Sequence, residues 1–177
     1  FPELNNHKYP LVILVPGGAF GPSKCWPASR FAQTAQWLID KFQATVVISV
    51  APNEKDIAEE ISRQCKGHVV NLAEKVVNLS ELKSLFSLAD LVVTNDTGPR
   101  HLAIALNRKV ITLFGPNDPR WTETNYKNET KLVTTVTCAP CQKPVCPKPP
   151  RICMEAISVE TVCDAAEKLI KNESGNL

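Results

Sequence analysis

The most informative absences in this sequence concern membranes and nucleic acids. No apolar stretch is long enough to span a bilayer, and no signal-peptide pattern comes before the first apolar run at residues 11–15. The net charge is only +2 at pH 7, and no basic run alternates with aromatic residues. We therefore predict a globular cytoplasmic protein that neither spans a membrane nor binds nucleic acid.

A dinucleotide-binding fingerprint is also missing. Gly17, Gly18 and Gly21 follow the first apolar run, but they do not form the Gly-x-Gly-x-x-Gly pattern that opens a helix. By themselves they are typical of a flexible turn between a strand and a helix. Lys24 follows directly, and a cation just beyond a glycine loop can reach a phosphate. A solvated surface lysine is the alternative interpretation.

The cysteine pattern does not fit a secreted disulfide scaffold. The seven cysteines are an odd number, and several are scattered singly, which favours a reducing compartment. Cys138, Cys141, Cys146 and Cys153 form the one close group, and the first pair has the spacing of zinc ligands. The remaining gaps are irregular for a zinc site, so we predict no bound metal. Reduced thiols and one labile disulfide stay open as alternatives.

The chain has 177 residues, of which 44% are apolar and 21% charged. This length suits one well-buried domain, and we predict a single domain over residues 1–177. Because the chain starts at Phe1 and its first strand follows almost at once, we expect it to be a fragment of a longer protein.

Short apolar runs alternate with helical patterns along the whole chain. Strands are predicted at 11–15, 45–50, 68–70, 91–94, 110–114 and 131–136. Helices are predicted from Pro27 to Phe42, around 57–65, and at 79–88, 99–106 and 159–170. Ser80 is a candidate cap of the helix at 79–88. Alternating strands and helices indicate a doubly wound parallel sheet. With the common strand order 3-2-1-4-5-6, strands 1 and 4 are neighbours where the order reverses, and ligands bind there.

The loops after strands 1 and 4 carry unusual polar residues. The second loop contains Asp96, Thr97 and Gly98 at a helix start, and His101 follows within one turn. A helix N-terminus attracts anions through its free N–H groups and its dipole. Capping by the polar residues and a structural role for the histidine are the alternatives. A further polar loop, 115–119, follows strand 5, and three such loops at one edge favour a phosphate-bearing ligand.

Four ordered motifs resemble a known family. They are the segments 16–27, 95–103 and 113–119, and the cysteine run ending at 152–157. Together they resemble the lipopolysaccharide heptosyltransferases of glycosyltransferase family 9, the type II members in particular. The resemblance implies a Rossmann-like doubly wound parallel sheet that forms the carboxyl-terminal, donor-binding half of a GT-B glycosyltransferase. The amino-terminal acceptor half has no counterpart in this sequence.

The resemblance also implies an inverting transfer of heptose from ADP-L-glycero-D-manno-heptose to the lipopolysaccharide inner core, with no metal required. Lys24 and Asp96 would be the catalytic pair and would contact the diphosphate and the heptose. The donor-binding set would be Gly17, Gly18, Lys24, Glu54, Asp96, Thr97, Gly98 and His101. Glu54 is the nearest match to an acid that holds the ribose, although Val50 and Ala51 replace the family's usual Gly-Ser before it.

Partners follow from the same resemblance. The nucleotide-sugar donor would bind here, whereas the lipopolysaccharide acceptor and any inner-membrane association would require the missing half, so the fragment alone is expected to be inactive. Two other functions stay open. One is a donor domain for a different nucleotide sugar, and the other is a non-enzymatic module in which the cysteine group binds a metal or a partner protein.

Overall fold

The computed structural model describes residues 4, 9–67, 69–75, 77–148 and 150–171. Six strands form one sheet: β1 (Leu11–Val15), β2 (Thr45–Ile48), β3 (Val69–Asn71), β4 (Leu91–Asn95), β5 (Lys109–Phe114) and β6 (Glu129–Val133). The helices are α1 (Ala28–Phe42), α2 (Lys55–Gln64), α3 (Leu79–Leu88), α4 (Gly98–Ala105), α5 (Ile152–Glu155) and α6 (Val159–Lys171). No helix in these described segments is long and apolar enough to cross a membrane.

The sheet is parallel, and its order is β3-β2-β1-β4-β5-β6, which confirms the predicted strand order. Strands β1 and β4 pair directly, with Leu14 opposite Val93. The carboxyl ends of these two neighbours therefore lie at the point where the winding reverses, and the loops 16–24 and 95–101 emerge there side by side.

Both faces of the sheet are covered, as expected for strands that are apolar throughout. In β1, Val12 and Leu14 pack into the cluster shared with α1, α2 and α6, whereas Ile13 and Val15 face the cluster that contains residues of α3 and α4. All five residues of β1 and of β4 are buried. This two-sided core fixes the height at which both strands end and thus the position of the loops that follow them.

Several predicted boundaries were wrong in detail. Ser80 is not the cap of α3, because Asn78 accepts the Glu81 N–H and Glu81 returns a bond to the Asn78 N–H, which makes a capping box. Strand β6 begins at Glu129 and ends at Val133, whereas 131–136 was predicted. The apolar pattern did not show its first residue because Glu129 is charged. Strand β2 ends at Ile48, whereas its predicted end was residue 50. Helix α5, which contains Cys153, was not predicted. His68, predicted in the third strand, lies outside the described residues.

Candidate functional site

Asn95, the last residue of β4, joins the two loops at the switch point. Its side-chain N–H₂ donates to the carbonyls of Pro16 at 2.8 Å and Gly17 at 3.1 Å, and its amide oxygen accepts the Trp26 N–H at 3.2 Å. Asn95 is fully buried. One side chain therefore fixes both ends of the glycine loop relative to the start of α4, a role that the sequence did not reveal.

Lys24 and Asp96 meet in this junction. The Lys24 Nζ donates to the Asp96 carbonyl at 2.8 Å and to its Oδ2 at 2.9 Å, and it lies 4.9 Å from the centre of the Phe20 ring. Lys24 is 9% exposed and Asp96 5% exposed. The alternative of a solvated surface lysine is therefore wrong, and the two residues predicted as the catalytic pair form one buried ion pair.

The carboxylate of Asp96 does not cap α4. The N-cap residue is Thr97, whose side chain makes no capping bond. Instead, Asp96 Oδ2 accepts the Asn117 side-chain N–H at 3.2 Å, and Asp96 Oδ1 accepts the Thr122 hydroxyl at 3.4 Å. Asn117 and Thr122 both follow β5 in the chain, which confirms that the three polar loops meet at one edge of the sheet.

A cleft of about 590 Å³ opens at the same edge of the sheet, although neither Lys24 nor Asp96 lines it. Five of the predicted donor-binding residues line it: Gly17, Gly18, Glu54, Thr97 and Gly98. Its lining also includes the apolar residues Leu72, Val77 and Leu82. A Cβ at Gly98 would have no protein atom within 4 Å, so the first turn of α4 faces open space in the cleft. A cleft that is lined by both polar and apolar residues suits an amphipathic ligand such as a nucleotide.

Glu54 reaches the glycine loop directly. Its Oε1 accepts the Gly18 N–H at 2.7 Å and its Oε2 accepts the Ala51 N–H at 3.1 Å. A Cβ at Gly17 would lie only 1.9 Å from Glu54 Oε2, so this approach requires glycine. The structure therefore places Glu54 in the cleft, and its role with a ribose stays a prediction.

Three of the predicted donor-binding residues do not line the cleft. They are Lys24 and Asp96, which form the buried ion pair, and His101. The side chain of His101 is exposed on α4, outside the residues that line the cleft. Its predicted part in donor binding is not tested by this arrangement and stays a prediction.

A second ion pair behind Asp96 was missed in the sequence. Arg100 is fully buried, and its Nε and Nη2 donate to the two carboxylate oxygens of Glu129 at 2.6 and 3.0 Å. Burial alone raises the pKa of a carboxyl group, but hydrogen bonds from Arg100 and Thr112 hold the pKa of Glu129 below its usual value. The pair joins α4 to β6. No local pattern relates two residues that lie so far apart in sequence, so only the fold reveals it.

The close group of cysteines lines a separate cavity of about 230 Å³. All four thiols, those of Cys138, Cys141, Cys146 and Cys153, are free. Burial raises the pKa of Cys153, and the other three thiols raise it further. Within the described segments no set of three or more histidine, cysteine or acidic side chains is arranged to hold a metal ion.

The cysteine-rich segment, residues 138–148, is hydrogen-bonded to the loop that carries Lys24. The Ser23 N–H donates to the Pro144 carbonyl at 3.1 Å, and the Ser23 hydroxyl donates to the Lys143 carbonyl at 2.5 Å. Gly21 has a φ of 148°, and a Cβ there would lie 2.4 Å from the Pro144 carbonyl oxygen. The segment therefore supports the glycine loop from outside the cleft.

A parallel doubly wound sheet with a cleft at its switch point is the fold of one half of a GT-B glycosyltransferase. The solved Escherichia coli ADP-heptose lps heptosyltransferase II is similar, with a TM-score of 0.82 and 24% identity over 98% of this chain and 50% of that one. The sequence model described as glycosyltransferase family 9 (heptosyltransferase) matches residues 3–151. The chain therefore belongs to glycosyltransferase family 9.

Curated relatives agree with this assignment. Lipooligosaccharide heptosyltransferase 2 of Campylobacter jejuni is 32% identical over 165 residues, which cover 90% of this chain and 50% of the relative. The protein of the same description from Haemophilus influenzae is 37% identical over 116 residues, 64% of this chain and 33% of the relative. The chain thus spans a third to a half of the length of these relatives.

Proposed function

We propose that this chain is the donor-binding part of an inverting heptosyltransferase that transfers heptose from ADP-L-glycero-D-manno-heptose to the lipopolysaccharide inner core in the cytoplasm. The observation that carries the proposal is the buried Lys24–Asp96 ion pair, in which Asp96 directly precedes Thr97 and Gly98, two residues that line a cleft at the first turn of α4. The family membership supports it, and the E. coli neighbour is described as acting on ADP-heptose.

The cleft would hold the nucleotide in a defined direction. The apolar lining residues Leu72, Val77 and Leu82 suit the flat face of adenine. Glu54 lines the same cleft, and its carboxylate can accept hydrogen bonds from ribose hydroxyls. The diphosphate would then lie toward Gly98 and Lys24. Each carboxylate oxygen of Glu54 accepts one backbone N–H, from Gly18 or Ala51, and has a second lone pair that would accept a ribose hydroxyl.

Transfer of a sugar from a diphosphate develops negative charge on the departing group. The N-terminal end of α4 is a fixed donor, whereas the Lys24 ammonium would be drawn from Asp96 toward the diphosphate, and both would stabilise this charge. These protein groups supply the positive charge, so the proposal includes no metal ion.

The heptose would bind at Asp96 and Asn117. The carboxylate of Asp96 repels phosphate but accepts hydrogen bonds from sugar hydroxyls. The amide oxygen of Asn117 is buried and has no hydrogen-bond partner among the described residues, so it offers one more acceptor close to Asp96. The acceptor sugar and the base that activates it would come from the other half of the enzyme.

Nucleotide titration tests the proposal. We expect the 177-residue chain to bind ADP more tightly than UDP or GDP in calorimetry, and to transfer no heptose until an amino-terminal half is added. Preference for another base would favour a different nucleotide-sugar transferase. Transfer of heptose by this chain alone would contradict the assignment of the acceptor and the base to the other half of the enzyme. If the chain binds none of these nucleotides, the proposal is overturned.

A further inference from the structure

Charges of alternating sign form a series of ion pairs from Lys24 to the surface. It runs from Lys24 to Asp96 at 2.9 Å, from Asp96 to Arg100 at 3.7 Å and from Arg100 to Glu129 at 2.6 Å. Glu129 is followed by Lys131 at 3.9 Å, and Lys131 pairs with Glu123 at the surface. The inner members are almost completely buried, so water screens these charges little.

Asp96 and a bound diphosphate would compete for the ammonium of Lys24. In the structure this ammonium is bonded to Asp96 twice, through the carbonyl and through Oδ2. A bound diphosphate would attract the same ammonium, and Asp96 would then be a buried carboxylate with weakened compensation beside a second anion. Such a carboxylate lowers nucleotide affinity unless another cation remains close.

The guanidinium of Arg100 stays beside Asp96 because its other contacts hold it in place. This guanidinium is fully buried, lies 5.2 Å from the centre of the Phe114 ring and donates through Nη1 to the Thr122 carbonyl at 2.9 Å. The edge formed by Nε and Nη2 holds Glu129, whereas Nη1 lies toward Asp96 Oδ1. Because the negative charge of Glu129 is on the far edge, the positive charge dominates at Asp96.

We propose that Arg100, held in place by Glu129, is the permanent counter-ion of Asp96 and neutralises it while Lys24 binds the diphosphate of the nucleotide. Arg100 is thus a positioning residue that acts through Asp96 and does not touch the donor. This inference rests on the proposed function, because it requires a diphosphate at Lys24. The alternative is an ion pair that only joins α4 to β6.

A cycle of charge-removing variants distinguishes the two explanations. The double variant Arg100→Met/Glu129→Leu replaces the buried pair by apolar side chains, a change that proteins commonly tolerate. We expect ADP affinity of the 177-residue chain to fall roughly tenfold while AMP affinity changes less. Adding Asp96→Asn in this background removes the uncompensated charge and should restore ADP affinity. The control Lys41→Met/Glu167→Leu removes an ion pair between α1 and α6 and should leave ADP affinity unchanged.

The outcomes are distinct. Equal losses for ADP and AMP that Asp96→Asn does not restore would overturn the inference and indicate a purely structural pair. If the double variant does not fold, Glu129→Gln decides by sign: freeing the charge of Arg100 should tighten ADP binding, whereas disruption of a structural pair should weaken it. Failure of the unaltered chain to bind ADP would instead overturn the proposed function and, with it, this inference. Thermal unfolding of each variant checks the fold.

Discussion

Replacing Lys24 by methionine removes the charge at the centre of the proposed site and keeps most of the side-chain volume. In the structure the Lys24 ammonium is 2.8 Å from the Asp96 carbonyl and 2.9 Å from Oδ2, with little exposure to water. A charge-assisted hydrogen bond is worth about 1.5–3 kcal/mol. If one such bond goes to the second phosphate of ADP, Lys24→Met should weaken ADP binding roughly ten- to hundredfold.

AMP provides the internal comparison because it has no second phosphate. We expect its affinity to fall much less, so that the preference for ADP over AMP shrinks by roughly tenfold. Calorimetric titration of both nucleotides into one preparation measures this ratio directly. The control is Lys168→Met, which removes an exposed lysine of α6 and should change neither affinity.

Stability must be measured on the same samples. Loss of Lys24 leaves the carboxylate of Asp96 with Asn117 and Thr122 as hydrogen-bond donors, so the free energy of unfolding should fall by about 1–2 kcal/mol. The nucleotide ratio is interpretable if thermal unfolding stays cooperative. Equal losses of ADP and AMP affinity would refute the reasoning and place the second phosphate away from Lys24.

Three further changes test separate parts of the site. Gly98→Ala should lower ADP affinity and leave the melting temperature nearly unchanged, because its Cβ would enter open cleft; Gly115→Ala, whose Cβ would lie 2.2 Å from Met154 Sδ, should instead lower the melting temperature. Asp96→Asn in an enzyme with both halves should slow transfer roughly a hundredfold at a nearly constant melting temperature, and unchanged rates would remove Asp96 from the site. Burial raises the pKa of Cys163 to about 11 from an ordinary 9.0, so the stability that its neutral thiol contributes is complete below pH 9 and is lost as pH rises toward 11. Cys163→Ala should remove this loss, as denaturant titrations at pH 8 and pH 10.5 would show.

The sheet was predictable because its signals are local. Each strand is a short apolar run, as in Leu11–Val15, and parallel winding follows from their alternation with helices. The strand order then brings residues 16–24 and 95–101 together without any knowledge of their contacts. Lys24 and Asp96 come close together for the same reason, since each follows one of two neighbouring strands.

Contacts between distant residues were not predictable in the same way. The local sequence suggests that Arg100 is an ordinary surface residue of an amphipathic helix and that Glu129 is part of a loop, yet both side chains are fully buried. The cap of α3 was misplaced because Ser80 and Asn78 are both good caps and only the geometry selects one. Asp96 was ambiguous for a similar reason, because a carboxylate at a helix start caps more often than it binds.

The clamp between Ser23 and the cysteine-rich segment gives this fold an unusual dependence on its own carboxyl-terminal region. Ser23 precedes Lys24 by one residue, and its hydroxyl partner lies 120 residues further along the chain. A deletion or insertion within 138–148 therefore shifts the anchor of Lys24, although the segment lies outside the cleft. Grafting the donor site onto another scaffold would require this brace as well as the loops that line the cleft, and a truncated version that ends at β6 would keep every strand while losing the support for its central lysine.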